Sequence, residues 1–592
     1  MGLGDISLAC AAALVDALIA GGARHATVSP GSRSTALALA LARDERVTVH
    51  VHLDERSAAF FALGIAKATG DPAMVACTSG TAAAELWPAV VEASQSRTPL
   101  LLLTADRPPR LRGTGANQTI DQHELYGVYA RATIEPPVPA SPDDVAVWRD
   151  AGRRAIEAAL GVTLGAPPGA APGPAHVNAP FDEPLVPRGE PVEVPEPGPW
   201  APHEPEHDRD EVREALTGFL TAYAGRRGVL TLGSLRPPQT LSLLTLGALL
   251  GWPVLAEPLS GLRLEAGEAG RALAAGQLLV GDAAWLDRHR PEVIVQIGAA
   301  PTTRASQALV AAPGELVVLD RDHLDPDPEG RAERRIRVDP ELFAAMAWED
   351  AEAGEQPPVA DPGWFETWRA ADLVARAALD RLLDGWTEPF EGRVARDLAR
   401  FVPHGAVLAV GSSTPVRDLD TYMAPRRPPR IWNPRDLVRI LANRGASGID
   451  GFVSTTLGAA AVHDGPVYAL MGDLTFLHDA GGLLGSARRG IDAVIVVVSN
   501  GGGHIFSMLD HRDLPEHEEL FVTPSGVDIA AVCAAAGAGH ALVDGSDAFV
   551  PALERAAKTG GVQVVEVTID PELGLKRRAE LREVVSRVVT GR

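Results

Sequence analysis

The chain has 592 residues, 46% of them hydrophobic, enough to bury several cores and to suggest three or four domains at roughly 150 residues each. Its net charge of −23 argues against sequence-independent nucleic-acid binding, which needs a basic footprint. Cys10, Cys77 and Cys533 lie far apart with no CxxC pair, which excludes a disulfide or zinc framework and fits a reducing cytosol.

In chain order, the N-terminal apolar stretch is interrupted by Asp16 and lacks a basic leader, so it reads as a helix and not a signal peptide. No run of about 18 apolar residues offers a membrane span, and a soluble cytoplasmic protein is expected. HATVS (25–29) precedes TALALALARD (35–44), and MVACTS (74–79) precedes AAAELWPAVVEA (82–93). These pairs alternate a β-branched run with an Ala/Leu-rich helical one, and LLLLTAD (100–106) is a further strand. Residues 160–210, with APPGAAPGP and EVPEPGPWAPHEPEHD, are too rich in proline and glycine for regular elements. PAHVNAP (174–180) inside them is the exception, a candidate last strand of a first domain. VIVQIGA (293–299) and LVVLD (316–320) continue the pattern, and DAEAGEQPPVADPG (350–363) forms a second break. AVLAVGS (406–412), YALMGD (468–473) and VIVVVSN (494–500) close the series. The expected architecture is α/β, with three doubly wound parallel-sheet domains over 1–185, 200–345 and 365–592. In such sheets ligands bind beyond the carboxyl ends of strands, so chemistry is sought just after each run.

Two of those ends form a pair. Asp473 follows one run and Asn500 another, and HDAGGLLGSARRGI between them is long enough for one right-handed crossover. Neighbouring strands would set the carboxylate and the amide on one rim, an oxygen donor set suited to Mg²⁺ shared with a phosphate-bearing ligand. Glycines 501–503 would let backbone carbonyls turn inward. Gly-Asp and Asn-Gly are also ordinary turns, and only their joint placement favours the metal site.

Gly472-Asp473 with Asn500 resembles the GDG…N signature of thiamine-diphosphate enzymes, although Leu474 stands where that signature has Gly. The resemblance implies that Asp473, Asn500 and the Gly502 carbonyl hold Mg²⁺ (or Mn²⁺) against the diphosphate. It also implies a glutamate at the aminopyrimidine ring. HVHLDERSAAFFALGIAKATG (50–70) supplies Glu55, and Asp54-Glu55-Arg56 fits a charged helix start equally well.

A narrower resemblance rests on SPGSRST (29–35), LDER (53–56), TSGTA (78–82), TADRPP (104–109), GANQTI (115–120), NAPFDEPL (178–185), NRGASGIDG (443–451) and GDL (472–474). Together these are similar to the 2-succinyl-5-enolpyruvyl-6-hydroxy-3-cyclohexene-1-carboxylate synthase family of menaquinone biosynthesis, from about residue 25 to about 510, and Leu at 474 is usual in that family. The resemblance implies a thiamine-diphosphate-dependent transferase that decarboxylates 2-oxoglutarate and adds the succinyl unit to isochorismate. The three segments then become aminopyrimidine-binding, central and diphosphate-binding domains. A homodimer or dimer of dimers, with sites at the subunit interface, is implied too.

Carried over, Arg33, Arg107, Asn117 and Gln118 would face isochorismate, and Ser413 and Arg417 of GSSTPVR the succinyl carboxylate. Arg444 opens the loop to Ile449, the apolar residue expected beneath the cofactor; an ordinary core isoleucine is the alternative. Ile505 and Phe506 would wall the thiazolium, with Arg304 a basic residue of the central segment. Independently, arginine forks at strand ends of an acidic protein suit carboxylate substrates. His25, His50 and His52 lack metal-ligand partners at useful spacing and read as structural. The alternatives are an acetohydroxyacid synthase or 2-oxoacid decarboxylase of the same superfamily, or a catalytically silent binding protein. No GxxxxGK[ST] string supports nucleotide hydrolysis.

Overall fold

A computed structural model describes residues 2–162, 171–189, 200–202, 209–235, 241–264, 272–312, 314–321, 326–359, 361–426 and 437–591. Most of APPGAAPGP and of EVPEPGPWAPHEPEHD lies outside the described residues.

Three sheets, with only parallel pairings among the described residues, carry the molecule. The first contains β1 (His25–Val28), β2 (Thr48–Val51), β3 (Ala73–Cys77), β4 (Leu100–Asp106), β5 (Ala132–Ile134) and β6 (Pro174–Pro180) in the order β2-β1-β3-β4-β6-β5. The second contains β7 (Gly228–Leu232), β8 (Val254–Ala256), β9 (Val293–Ile297), β10 (Glu315–Leu319) and β11 (Arg334–Ile336) in the order β11-β10-β9-β7-β8. The third contains β12 (Val407–Val410), β13 (Arg439–Leu441), β14 (Val467–Gly472), β15 (Ala493–Ser499), β16 (Gly539–Val543) and β17 (Val562–Thr568) in the order β13-β12-β14-β15-β17-β16. The α/β expectation therefore holds. PAHVNAP is β6, buried along its whole length between β4 and β5.

Each sheet starts in its interior and winds both ways, so strand order reverses between β1 and β3, between β7 and β9, and between β12 and β14. At such a reversal the connections leave on opposite faces and open a crevice at the carboxyl ends.

The helices Glu55–Thr69 and Phe452–Ala460 join the first and third sheets into one core, in which Phe60, Leu63 and Val75 pack with Val453, Leu457 and Ile495. They cross very closely: a Cβ at Gly64 would lie 2.0 Å from the Thr455 carbonyl oxygen, and one at Gly458 2.0 Å from that of Phe61. The break at 350–363 is shorter than the composition implies. Pro362 does not disrupt the chain but starts the helix Pro362–Gly385, capped by Asp361 through the Gly363 N–H at 2.8 Å. Trp364 and Trp368 of that helix enter the core of the central sheet.

The first helix, Leu3–Ala20, is long and apolar enough by composition to cross a membrane, which departs from the expectation of no such run. Its flank is buried in the first core instead, beside the helix Asp144–Leu160.

Candidate active site

β14 and β15 are neighbours in parallel register, with Gly472 opposite Val498, so both strands end on one rim. Asp473 is the first residue of the helix Asp473–His478 and is 6% exposed. Its Oδ1 accepts from the Leu474 N–H at 2.7 Å and its Oδ2 from the Gly501 N–H at 2.9 Å, stitching one strand end to the other. Burial pushes this carboxyl up, opposed by backbone donors at Leu474, Gly501, Gly502 and Asn500. Gly502 has φ +144°, and a Cβ there would lie 2.2 Å from the Val522 carbonyl oxygen. The turn is folded hard under the segment Glu518–Val522, a close approach that only glycine permits. Asn500 is half-buried just past β15. Ile505 and Phe506 are half-buried in the following turn, where the Phe506 ring packs on Phe521 at 5.6 Å between centroids.

The segments after β12 and β13 bring arginines to the same end of the third sheet, Arg417 on the helix Thr414–Tyr422 where the sequence suggested a loop. Ser413 follows β12 with φ +71°, and its carbonyl accepts from Arg417 at 2.6 Å. Arg444 follows β13; its Nε is buried without a hydrogen-bond partner, and Ile449, farther along the loop, is half-buried. Burial lowers the Arg417 guanidinium, and Arg304, the exposed first residue of the helix Arg304–Ala311 beside the central sheet, lowers it further. Arg444 is lowered by burial and then by Arg417. Arg417 thus feels Arg304, and Arg444 feels Arg417, a run of like charges that Asp418, Glu257 and Glu92 partly offset.

Reading the sequence missed the partner of this group. Glu257 directly follows β8, buried, and accepts from the Thr302 N–H at 2.6 Å and the Thr302 hydroxyl at 2.9 Å. Burial pushes its carboxyl up, the nearby Asp420 carboxylate adds to that, and Arg444 opposes it. The available signal was an acid directly after the apolar run Val254-Leu255-Ala256.

At the first sheet, Arg33 follows β1 and Arg107 follows β4, 8% and 7% exposed. Arg33 donates to the Phe181 carbonyl at 3.0 Å and lies 3.6 Å from Glu183, while its Nε is buried without a partner. Arg107 donates to the Ser79 hydroxyl, and burial and then Arg33 lower its guanidinium. Gln118, with φ +53°, donates to the Ser79 carbonyl at 2.9 Å, and Asn117 beside it is exposed. Ser79, within TSGTA, thus ties two of the four expected acceptor residues together. Gln122 supports it by accepting from the Gly80 N–H at 2.9 Å.

Glu55 is the first residue of its helix, and Asp54 caps that helix by accepting from the Ser57 N–H at 3.1 Å. The charged-start reading is therefore correct for Asp54. Glu55 itself is half-buried, and burial and then Asp54 and Glu85 push its carboxyl up. Its charged neighbours belong to the first sheet's unit, and among the described contacts it is not joined to Asp473 or Asn500. His50 approaches His25 at 3.4 Å, and His50 and His52 flank Phe61; burial lowers these two histidines to about 4 and about 3. They pack as core residues.

Residues 9–125 match the thiamine pyrophosphate enzyme, N-terminal TPP binding domain, and residues 428–567 the corresponding C-terminal TPP binding domain. Proteins named 2-succinyl-5-enolpyruvyl-6-hydroxy-3-cyclohexene-1-carboxylate synthase are similar along almost the whole chain. That of Saccharopolyspora erythraea is 40% identical, covering 98% of each chain. That of Thermobifida fusca is 40% identical over 98% of this chain and 99% of its own. The Geobacillus kaustophilus protein is 37% identical over 94% of each.

Proposed function

The chain belongs to the 2-succinyl-5-enolpyruvyl-6-hydroxy-3-cyclohexene-1-carboxylate synthase family, and from that premise we propose that it is a transferase that releases CO₂ from 2-oxoglutarate and adds the remaining succinyl unit to isochorismate in menaquinone biosynthesis. The observation that carries the substrate assignment is the pair of arginine groups at separate strand-end rims, Arg33 with Arg107 and Arg304 with Arg417 and Arg444. Both substrates are carboxylates, and like-charged guanidinium groups gathered at each rim, buried at Arg33 and Arg107 and half-buried at Arg417 and Arg444, are stabilised by an anion.

The rim at Asp473 fits a diphosphate-bound divalent cation. Its donors would be a carboxylate, the Asn500 amide and the Gly502 carbonyl, all hard oxygens suited to Mg²⁺ or Mn²⁺. A Cβ at 502 would close that turn. Thiamine diphosphate, when bound, supplies the electron sink for loss of CO₂. Gly472, Leu474 and Ser413 would border it, Ile449 would support it from beneath, and Ile505 and Phe506 would shield it from water. Glu55 would exchange a proton with its aminopyrimidine, a role its burial-raised carboxyl suits. Ser413 and Arg417 would hold the distal carboxylate of 2-oxoglutarate, with Arg304 and Arg444 adding charge. Arg33, Arg107, Asn117 and Gln118 would orient isochorismate. As the family resemblance implies, we assign the complete site to a homodimer or pair of dimers, with the two halves on different subunits, in the cytoplasm.

The test is incubation with 2-oxoglutarate and isochorismate, with and without thiamine diphosphate and Mg²⁺. Isochorismate should disappear only in the complete mixture. Consumption of 2-oxoglutarate alone, with isochorismate untouched in the complete mixture, would point to a simple 2-oxoacid decarboxylase.

A further inference from the structure

The metal reading leaves one question about Asn500 open. An amide presents an oxygen at one edge and an NH₂ at the other, and only the oxygen can ligate a cation. Something must hold the flip. Asn500 borders a small open cleft that it shares with Glu391, Thr414, His504 and Arg578. Glu391, the first residue of the helix Glu391–Phe401, is 6% exposed. The Asn500 side chain faces the same cleft as that carboxylate, whose Oε2 is buried without a hydrogen-bond partner.

That carboxylate is held from other elements. Arg578 of the C-terminal helix Pro571–Thr590 lies 3.5 Å from Glu391 Oε2, and its guanidinium forks onto Asp418, with Nη2 to Oδ2 at 2.8 Å. Asp418 sits on the helix Thr414–Tyr422, one residue past Arg417. Gly574 makes room, since a Cβ there would stand 2.9 Å from Glu391 Oε2. Three helices thus bracket one acceptor beside Asn500.

Resting on the metal site proposed above, we propose that Glu391 is a positioning residue for the metal: it takes the Asn500 NH₂ and thereby turns the amide oxygen toward the rim shared with Asp473. A carboxylate only accepts hydrogen bonds, so the opposite flip would set two acceptors against each other. Glu391 touches neither metal nor substrate and acts through Asn500. Partners behind a metal ligand commonly carry 10- to 100-fold of metal affinity.

The test is calorimetric titration of Mg²⁺ into the full-length protein with thiamine diphosphate present. Glu391→Gln, whose amide can either donate or accept, should weaken Mg²⁺ binding about 10- to 100-fold. Unchanged affinity overturns the proposal. In an Asn500→Ala background the same substitution should cost nothing more, and an equal loss there shows that Glu391 does not act through Asn500. Thermal melts of the apo proteins establish that each variant is folded. Should Glu391→Gln fail to fold, Glu391→Asp keeps the acceptor one methylene short and should show a smaller loss that again vanishes beside Asn500→Ala. If the wild-type protein takes up no Mg²⁺ with thiamine diphosphate, the metal reading falls and this proposal with it.

Discussion

At the scale of single residues, the arginines divide into two sets whose loss should arrest the reaction at different points. Arg417 is anchored to the Ser413 carbonyl beside the third sheet, and Arg33 to the Phe181 carbonyl beside the first. Lysine is a point charge of different reach and cannot reproduce a fork. Arg33→Lys should still release CO₂ from 2-oxoglutarate in a single turnover, yet lose product formation and raise KM for isochorismate. Arg417→Lys should release CO₂ slowly whatever the isochorismate concentration. Rapid-quench measurement of CO₂ in both variants decides it, and arrest at one common step would show that donor and acceptor share these arginines. A second residue-scale consequence concerns acid. Burial lowers His50 to about 4 and His52 and His176 to about 3 in the folded chain. The unfolded chain takes up those protons near pH 6.5. Stability is therefore complete above pH 6.5 and is lost as pH falls toward the folded values, by up to about 1.4 kcal/mol per pH unit for each histidine. Melting temperatures should fall below pH 6.5, and His176→Gln should flatten that slope; an unchanged slope would show that His176 titrates normally. Asp473, Asn500 and Arg107 stood out as residues directly after apolar runs, whereas Arg33, Arg304, Arg417 and Arg444 lie farther past their strands and stood out through the motifs that carry them. Glu257 carried the same signal but no motif, and Ser79 and Gln122 act through contacts 28 and 42 positions away in the chain.

At the scale of elements, the crossing of Glu55–Thr69 with Phe452–Ala460 decides how the first and third sheets meet. Buried small residues fill both helices, and Gly64 and Gly458 let each backbone touch the other. Gly64→Ala should destabilise the chain by about 1–3 kcal/mol, the usual cost of overpacking a filled core. Chemical denaturation would read this as a lower midpoint at unchanged slope, and a midpoint equal to wild type would mean that the helices part without cost. The same junction carries Glu92, which pairs with Lys67 at 2.8 Å and accepts from the Gly445 and Ala446 N–H groups at 3.0 and 2.8 Å. The loop bearing Arg444 and Ile449 is thus pinned from the first unit. Interior strands such as β3, β4, β14 and β15 were legible as continuous apolar runs, because burial on both faces removes alternation. Edge strand β16, half-exposed, gives no such run.

At the scale of the whole molecule, Glu55 and Asp473 belong to units joined within one chain, yet Glu55 keeps its described charged neighbours in its own unit. If two chains complete each site, inactive Glu55→Gln and inactive Asp473→Ala subunits should regenerate activity when exchanged, because some mixed sites receive an intact residue from each parent. Exchanged mixtures that stay inactive would mean that each chain builds its own site. The sequence by itself determined the α/β class and the family, because those follow from local pattern and from motifs contiguous in the chain. Only the tertiary structure decided which arginines feel one another, that Glu257 sits among them, that Pro362 opens a helix leaning on the central core, and that Glu391 and Arg578 line one cleft with Asn500. Those facts depend on through-space proximity between residues as much as 187 positions apart, and no local pattern encodes such a distance.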